Sequence, residues 1–172
     1  PTDMGSYYEK GLLGQNSISI EAQFRKIFCD VSEELVERAI SDLSDRGSSE
    51  KGKIYFVCSN QDLVEECGHY LIQGSEYIMA MAASLCQFSD GSEDFRFRLR
   101  EAGIPTIFEV HIPIEMIPCY QVNELIRTIL SSWGTLNIFP EDAYDHGMSF
   151  VLHSDLKAEF IAGHTHPRKI KD

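Results

Sequence analysis

Two histidines stand one residue apart in Gly163-His164-Thr165-His166-Pro167. Such a pair on an extended segment sets two imidazoles side by side, where they could hold a zinc ion if a third ligand arrived from elsewhere. His146 and His153 are the available third ligands. A solvated polar tail over residues 163–172 is the plainer reading of the same stretch. Cys67-Gly68-His69 sets a thiol beside a base. Nucleophile and base normally come from separate parts of a fold, so sequence neighbours make a poor catalytic pair. Two carboxylates have a definable setting. Glu76 lies in Gly74-Ser75-Glu76-Tyr77, at the start of a helix, where it could equally complement the helix dipole. Glu159 lies in Asp155-Leu156-Lys157-Ala158-Glu159-Phe160-Ile161, where it could be no more than a surface acid. No G-x-x-x-x-G-K-[ST] and no G-x-G-x-x-G run is present, which disfavours ATP- and Rossmann-type chemistry.

The elements that must position these groups follow from apolar spacing. Residues 1–18 are polar and glycine-rich and predict an irregular segment. Phe24, Ile27, Phe28, Val31 and Leu35 recur at helical intervals. Ser32 reads as the N-cap of a second helix, with Glu33 and Glu34 in its first turn and Val36, Ile40 and Leu43 on one face. Residues 45–49 read as an exposed loop. Ile54-Tyr55-Phe56-Val57-Cys58 is a continuous apolar run that predicts a buried strand. Asp62 to Cys67 predicts a turn or two of helix stopped by Gly68. Residues 75–86, rich in alanine and methionine and capped by Ser75, predict a buried helix. Residues 89–94 are turn-like. Residues 105–112 alternate as a strand, with Thr106, Phe108, Val110 and Ile112 on one side. Val122, Leu125, Ile126, Ile129 and Leu130 form an amphipathic helix expected to end near Trp133-Gly134. Residues 150–152 and 160–162 read as short strands. Strands and helices mix without a βαβ rhythm, so the expected class is α+β over one domain, residues 1–172.

Composition narrows the partners. Fifteen Lys+Arg against 27 Asp+Glu leave a net charge of −12. Duplex nucleic acid selects basic surfaces, and an anionic membrane would repel this chain for the same reason. Arg96, Arg98 and Arg100 alternate with Phe95, Phe97 and Leu99, which could form a local basic patch, the plainer reading being an element edge with solvated arginines. The five cysteines are scattered without a C-x-x-C pair, four of them inside apolar or amphipathic stretches. A reduced thiol there behaves as a small hydrophobe. The opening Pro1-Thr2-Asp3 has no basic region leading into an apolar one, so no signal peptide is expected. The expected setting is a cytoplasm, occupied natively or by delivery as an effector. An acidic domain is also suited to be a non-catalytic binding or immunity-type module that neutralises a basic protein partner.

One order of motifs spans residues 53–161. It runs from Ile54-Tyr55-Phe56-Val57-Cys58-Ser59 to His69-Tyr70 and Gly74-Ser75-Glu76-Tyr77. It continues through Pro105-Thr106-Ile107-Phe108-Glu109-Val110-His111-Ile112-Pro113 to Leu156-Lys157-Ala158-Glu159-Phe160-Ile161. This order resembles the ADP-ribosyltransferase-like superfamily. Its members have a strand of the I-Y-F-x-x-S kind, a helix carrying a tyrosine, a strand leaving at a proline, and a late strand supplying a glutamate. The resemblance implies small mixed or antiparallel sheets with flanking helices. It also implies transfer of ADP-ribose from NAD to a macromolecular acceptor, a protein given the acidity, in the manner of a bacterial toxin or effector. Such chemistry passes through an oxocarbenium-like sugar that a carboxylate stabilises while an aromatic ring holds the nicotinamide. By resemblance Glu159 is the carboxylate, with Glu76 its rival. Tyr70 is the stacking ring, with Tyr55 the second candidate although it also reads as core. Ser59 and Ser75 are polar contacts to the NAD. The superfamily's first strand carries a His or Arg, yet none precedes Arg25 and the first histidine is His69. Tyr7-Tyr8 stands where the helix after that strand would be. The domain is therefore trimmed, or holds NAD differently, or keeps the fold without the activity. The shorter run His164-Thr165-His166-Pro167 resembles the core of JAMM-type zinc isopeptidases, but no serine follows it here.

Overall fold

Local signals and long-range packing divide this chain between a helical core and two small β-ribbons. The structure, a computed structural model, describes residues 4–89, 93–138 and 147–171. Pro1, His146 and residues 90–92 of the expected turn lie outside the described residues. Met4–Lys10 form helix α1 where an irregular segment was expected. A polar stretch of seven residues has little helix stability of its own. Here the Tyr7 ring sits 4.7 Å from Phe108, and Gly11 turns the chain at φ +84° so that Leu12 bridges to Leu156.

The core follows the apolar pattern closely. Asn16 accepts the Ile18 N–H and starts α2, Ser17–Ile27, and Ser32 accepts the Leu35 N–H to start α3, Glu33–Ser41. Ser44–Ser49 form a further turn of helix, α4, rather than the expected exposed loop. The reason is at Gly47, where an added Cβ would lie 2.7 Å from the Tyr77 ring. This close approach seats the segment on the core. After β1 (Ile54–Val57) come α5 (Asn60–Glu65) and α6 (Gly68–Gln73), so Gly68 opens a helix instead of only stopping one. α7, Glu76–Phe88, buries Tyr77, Ile78, Met81, Ala82 and Leu85 against Phe24, Phe28, Val36 and Ile40 of the preceding helices. Phe95 and Leu99 close the cluster from the short α8, Arg96–Leu99. The arginines around α8 are not merely solvated. Arg98 pairs with Asp30 and Glu93 at 2.7 Å and lies over the Phe28 and Phe95 rings.

β2 (Ile107–Val110) precedes α9 (Cys119–Ile138), and β3 (Ser149–Leu152) and β4 (Ile161–Thr165) follow. Pairing is antiparallel throughout: β1 with β3, and β2 with β4. The class is therefore α+β with small antiparallel sheets and flanking helices. β1 is only half covered and Tyr55 is 62% exposed, which corrects its reading as a buried strand with Tyr55 in the core. A two-stranded ribbon covers one face of a strand and leaves the other open. The expected tail over residues 163–172 is strand as far as Thr165, and Lys171 donates to the Val64 carbonyl at 3.0 Å. Cys29, Cys58 and Cys119 are exposed, so three of the five thiols are not packed as hydrophobes.

α9 runs past the expected stop at Trp133-Gly134 to Ile138. Gly134 lacks the positive φ that ends a helix. Gln121 ties the start of α9 to β3, its amide donating to the Val151 carbonyl at 2.9 Å and accepting the Val151 N–H at 2.7 Å. No helix among the described residues is long and apolar enough to cross a membrane.

Tyr77 is 1% exposed and donates its hydroxyl to Glu21 at 3.0 Å. Burial, followed by the Glu21 hydrogen bond and charge, pushes its hydroxyl up to about 12. A raised folded value means stability that is whole below the ordinary value of 10.0 and lost as pH climbs towards 12. Tyr77→Phe is expected to flatten that alkaline loss and to cost about 1 kcal/mol at neutral pH. Urea unfolding of both proteins at neutral and alkaline pH reads both effects.

Candidate functional site

α7 turns residues 77, 78, 81, 82 and 85 to the core, which leaves 76, 79, 80, 83 and 87 along another side of the helix. Flanked by α6 and α8, that side carries two adjoining shallow, widely open depressions of about 370 Å³ each. His69, Gln73, Glu76, Met79 and Ala80 line the first, and Cys86, Gln87, Glu93 and Asp94 line the second. Ala83 and Arg96 line both, so Arg96 stands at their junction.

Charge in the trough is ordered by two pairs. Arg96 donates from Nη2 to Asp94 Oδ2 at 2.6 Å and from Nε to Oδ1 at 2.9 Å. Those hydrogen bonds hold the Asp94 carboxyl down at about 2. At the other end Tyr70 donates its hydroxyl to Glu76 Oε1 at 2.6 Å. The His69 ring lies 4.1 Å from the Tyr70 ring. A carboxylate fixed by a phenol beside an imidazole can grip a sugar hydroxyl or exchange a proton.

Tyr70 and Glu76, two of the residues singled out from sequence, are thus brought together. Of the others, Ser75 directly precedes Glu76, and Ser59, Tyr55 and Glu159 are placed apart. Ser75 occupies the N-cap position of α7 without a capping side-chain bond. Ser59 caps α5, accepting the Asp62 N–H at 3.2 Å. Tyr55 donates to Glu50 at 2.7 Å from the exposed side of β1. Glu159 sits on a 3₁₀ turn, Ala158–Phe160, that packs on α1. Its side chain is 63% exposed and pairs with Lys157 at 3.6 Å, with neither Tyr55 nor Tyr70 as partner. No hydrogen bond joins Cys67 to His69 among the described residues.

The paired histidines belong to a second cluster, on the β2–β4 ribbon. His164 Nδ1 meets the Tyr8 hydroxyl at 2.6 Å, and His166 Nδ1 meets Thr106 Oγ1 at 3.1 Å. The two rings are 5.3 Å apart, centre to centre. Among the described residues no group of three or more His, Cys, Asp or Glu could hold a metal ion. Arg96 is the functional candidate that sequence reading passed over. The signal for it was Asp94, two residues away, which converts a solvated arginine into a fixed one. In comparisons with known proteins, no family model, no curated protein and no solved structure matches this chain.

The Asp94 carboxyl lies below its ordinary value of 3.8, so its pairing contributes stability above about pH 4 that is lost as pH falls towards 2. Asp94→Asn is expected to remove that part of the acid loss, read by circular dichroism between neutral pH and pH 2. Ser59→Ala is expected to lower stability by about 1 kcal/mol, the usual cost of a lost N-cap. Urea unfolding measures it. A loss well below that magnitude would mean that Ser59 is not needed as a cap.

Proposed function

We propose that the trough along α7 takes NAD as substrate and that the protein transfers its ADP-ribose to a protein acceptor. The observation that supports this most is the guanidinium of Arg96 at the junction of two hollows, one of which carries the Tyr70-held Glu76. A dinucleotide is two flat bodies joined by a pyrophosphate, and a guanidinium is the side chain best shaped to meet phosphate oxygens. Asp94 engages Nε and Nη2 of Arg96, which leaves Nη1 for such an oxygen. Glu93 and Asp94 oppose a phosphate nearby and weaken its binding, so millimolar NAD is the appropriate concentration for a test.

In the reaction the bond from ribose C1′ to the nicotinamide nitrogen breaks, and its electron pair stays on nitrogen, neutralising the pyridinium. Glu76 holds the ribose hydroxyl and offsets the positive charge that grows at C1′. The Tyr70 hydroxyl keeps the Glu76 carboxylate oriented, and the His69 ring offers a flat neighbour to nicotinamide. The acceptor's nucleophile then adds at C1′ and releases its proton to water. Glu76 takes the part that the family resemblance implies for Glu159.

A second reading, a non-catalytic acidic module that neutralises a basic protein, is favoured by a different observation. Arg25, Arg96 and Arg98, three of the fifteen Lys+Arg, are held in ion pairs within a molecule of net charge −12, so the acidic excess is only partly offset at its surface. Melting temperature and nicotinamide release with millimolar NAD separate the two. The transferase reading expects NAD to raise the melting temperature, and Glu76→Gln to cut release about 100-fold or more. It expects Glu159→Gln to leave release unchanged. No thermal shift and no release would sink it in favour of the acidic module. Loss of release with Glu159→Gln alone would move the site to the β2–β4 ribbon.

A further inference from the structure

We propose that the outward face of α9 is where two copies of this chain meet. Val122, Ile126, Ile129, Trp133 and Leu136 follow one another in steps of four, three, four and three. That is the spacing of a helix seam that packs against another helix. Beyond the half-buried Val122 at its start, nothing among the described residues buries it: exposure runs from 47% at Ile126 to 65% at Trp133, with Leu130 widening the stripe. Large exposed apolar patches on otherwise soluble folds mark sites of association.

Size and charge both select a second copy. A helix of this length spans about 30 Å. Pairing it along its seam would cover on the order of 600–800 Å² per copy, near the roughly 800 Å² per partner of a stable interface. α9 carries one acid and one base, Glu124 and Arg127, and they pair with each other at 3.1 Å. The helix is thus neutral on a chain of net charge −12. Two copies approaching through their acidic surfaces would repel, whereas through α9 they meet without net charge. A basic partner would be drawn to the acids elsewhere and would gain nothing from this face. Gly134 fits the same picture. A Cβ added there meets nothing within 4 Å among the described residues, so none of them requires glycine beside Trp133. Glycine in a helix interior is less favourable than alanine. Close approach of another backbone would account for it.

The pairing does not depend on the NAD reading, and its test is separate. Trp133 is the single tryptophan in the chain, so its emission reports from the middle of the seam. Sedimentation equilibrium from low to high micromolar protein is expected to show the mass rising from 19.5 kDa to twice that value. Trp133 emission should shift to the blue over the same range. Ile129→Glu should hold the protein monomeric with red emission at every concentration. Leu136→Lys, near the end of α9, serves if Ile129→Glu lowers helicity. Ser131→Glu, off the seam, should leave association intact. A monomer at all concentrations overturns the proposal. Blue emission in that monomer would assign the face to the chain's own residues. Emission that turns blue only with phosphatidylcholine vesicles would assign it to lipid and overturn the proposal equally.

Discussion

The burial of α7 is the constraint on which the rest of the structure depends. This helix is rich in apolar residues, and its larger side chains are concentrated on the side turned from water. Tyr77, Ile78, Met81, Ala82 and Leu85 enter the core, where α3 packs along the helix and Phe24 and Phe28 fill the space beside them. Once that side is fixed, the 100° step between residues leaves no freedom for the other. Glu76, Met79, Ala80 and Ala83 must line the trough, and their spacing along it is set by the core. α6 and α8 then only have to flank a floor that already exists. The Tyr70–Glu76 and Arg96–Asp94 pairs follow from where those two short helices end. A cavity in the core would therefore disturb the trough as much as a change in the trough itself.

The ribbons obey a different logic. Two antiparallel strands are marginal alone, and each of these pairs joins segments far apart in the chain. They persist because helices brace them. α1 lays Tyr7 on Phe108 and Tyr8 on His164, and Leu12 exchanges backbone hydrogen bonds with Leu156. The stretch that looked least structured in sequence thus holds the β2–β4 ribbon to the body. Gly11 is required there: its φ is +84°, and a Cβ would collide with the Leu156 carbonyl.

Much of the fold was legible because local rules and packing agree. Ser32 caps its helix as expected, and Ile54–Val57, Ile107–Val110 and Ser149–Leu152 fall where β-branched and aromatic residues cluster. What escaped was decided by contacts that no window of sequence contains. Residues 44–49 are helical because Gly47 admits the Tyr77 ring, thirty residues away in the chain. Gly134 was misread as a stop because composition cannot say whether a glycine takes a positive φ. The candidate site divides in the same way. Tyr70 and Glu76 are six residues apart and meet across one turn of chain, so motif reading found both. The order of motifs that joined them to Glu159 ignored how the ribbon is placed, and the geometry leaves Glu159 beside Lys157. Arg96 was passed over because three alternating arginines looked alike, although their acidic partners differ.

The clasp between Gln121 and Val151 reaches beyond the two residues it joins. Val151 pairs with Tyr55 across the ribbon, and its own N–H and C=O point to the other side, where a bare strand would invite a new neighbour. A single carboxamide meets both groups in the way a passing backbone would, so the edge of β3 is plugged at its third residue. One side chain on a helix thereby stands in for a third strand at the edge of this two-stranded ribbon. The edge groups of Val151 are then unavailable to a strand from another chain.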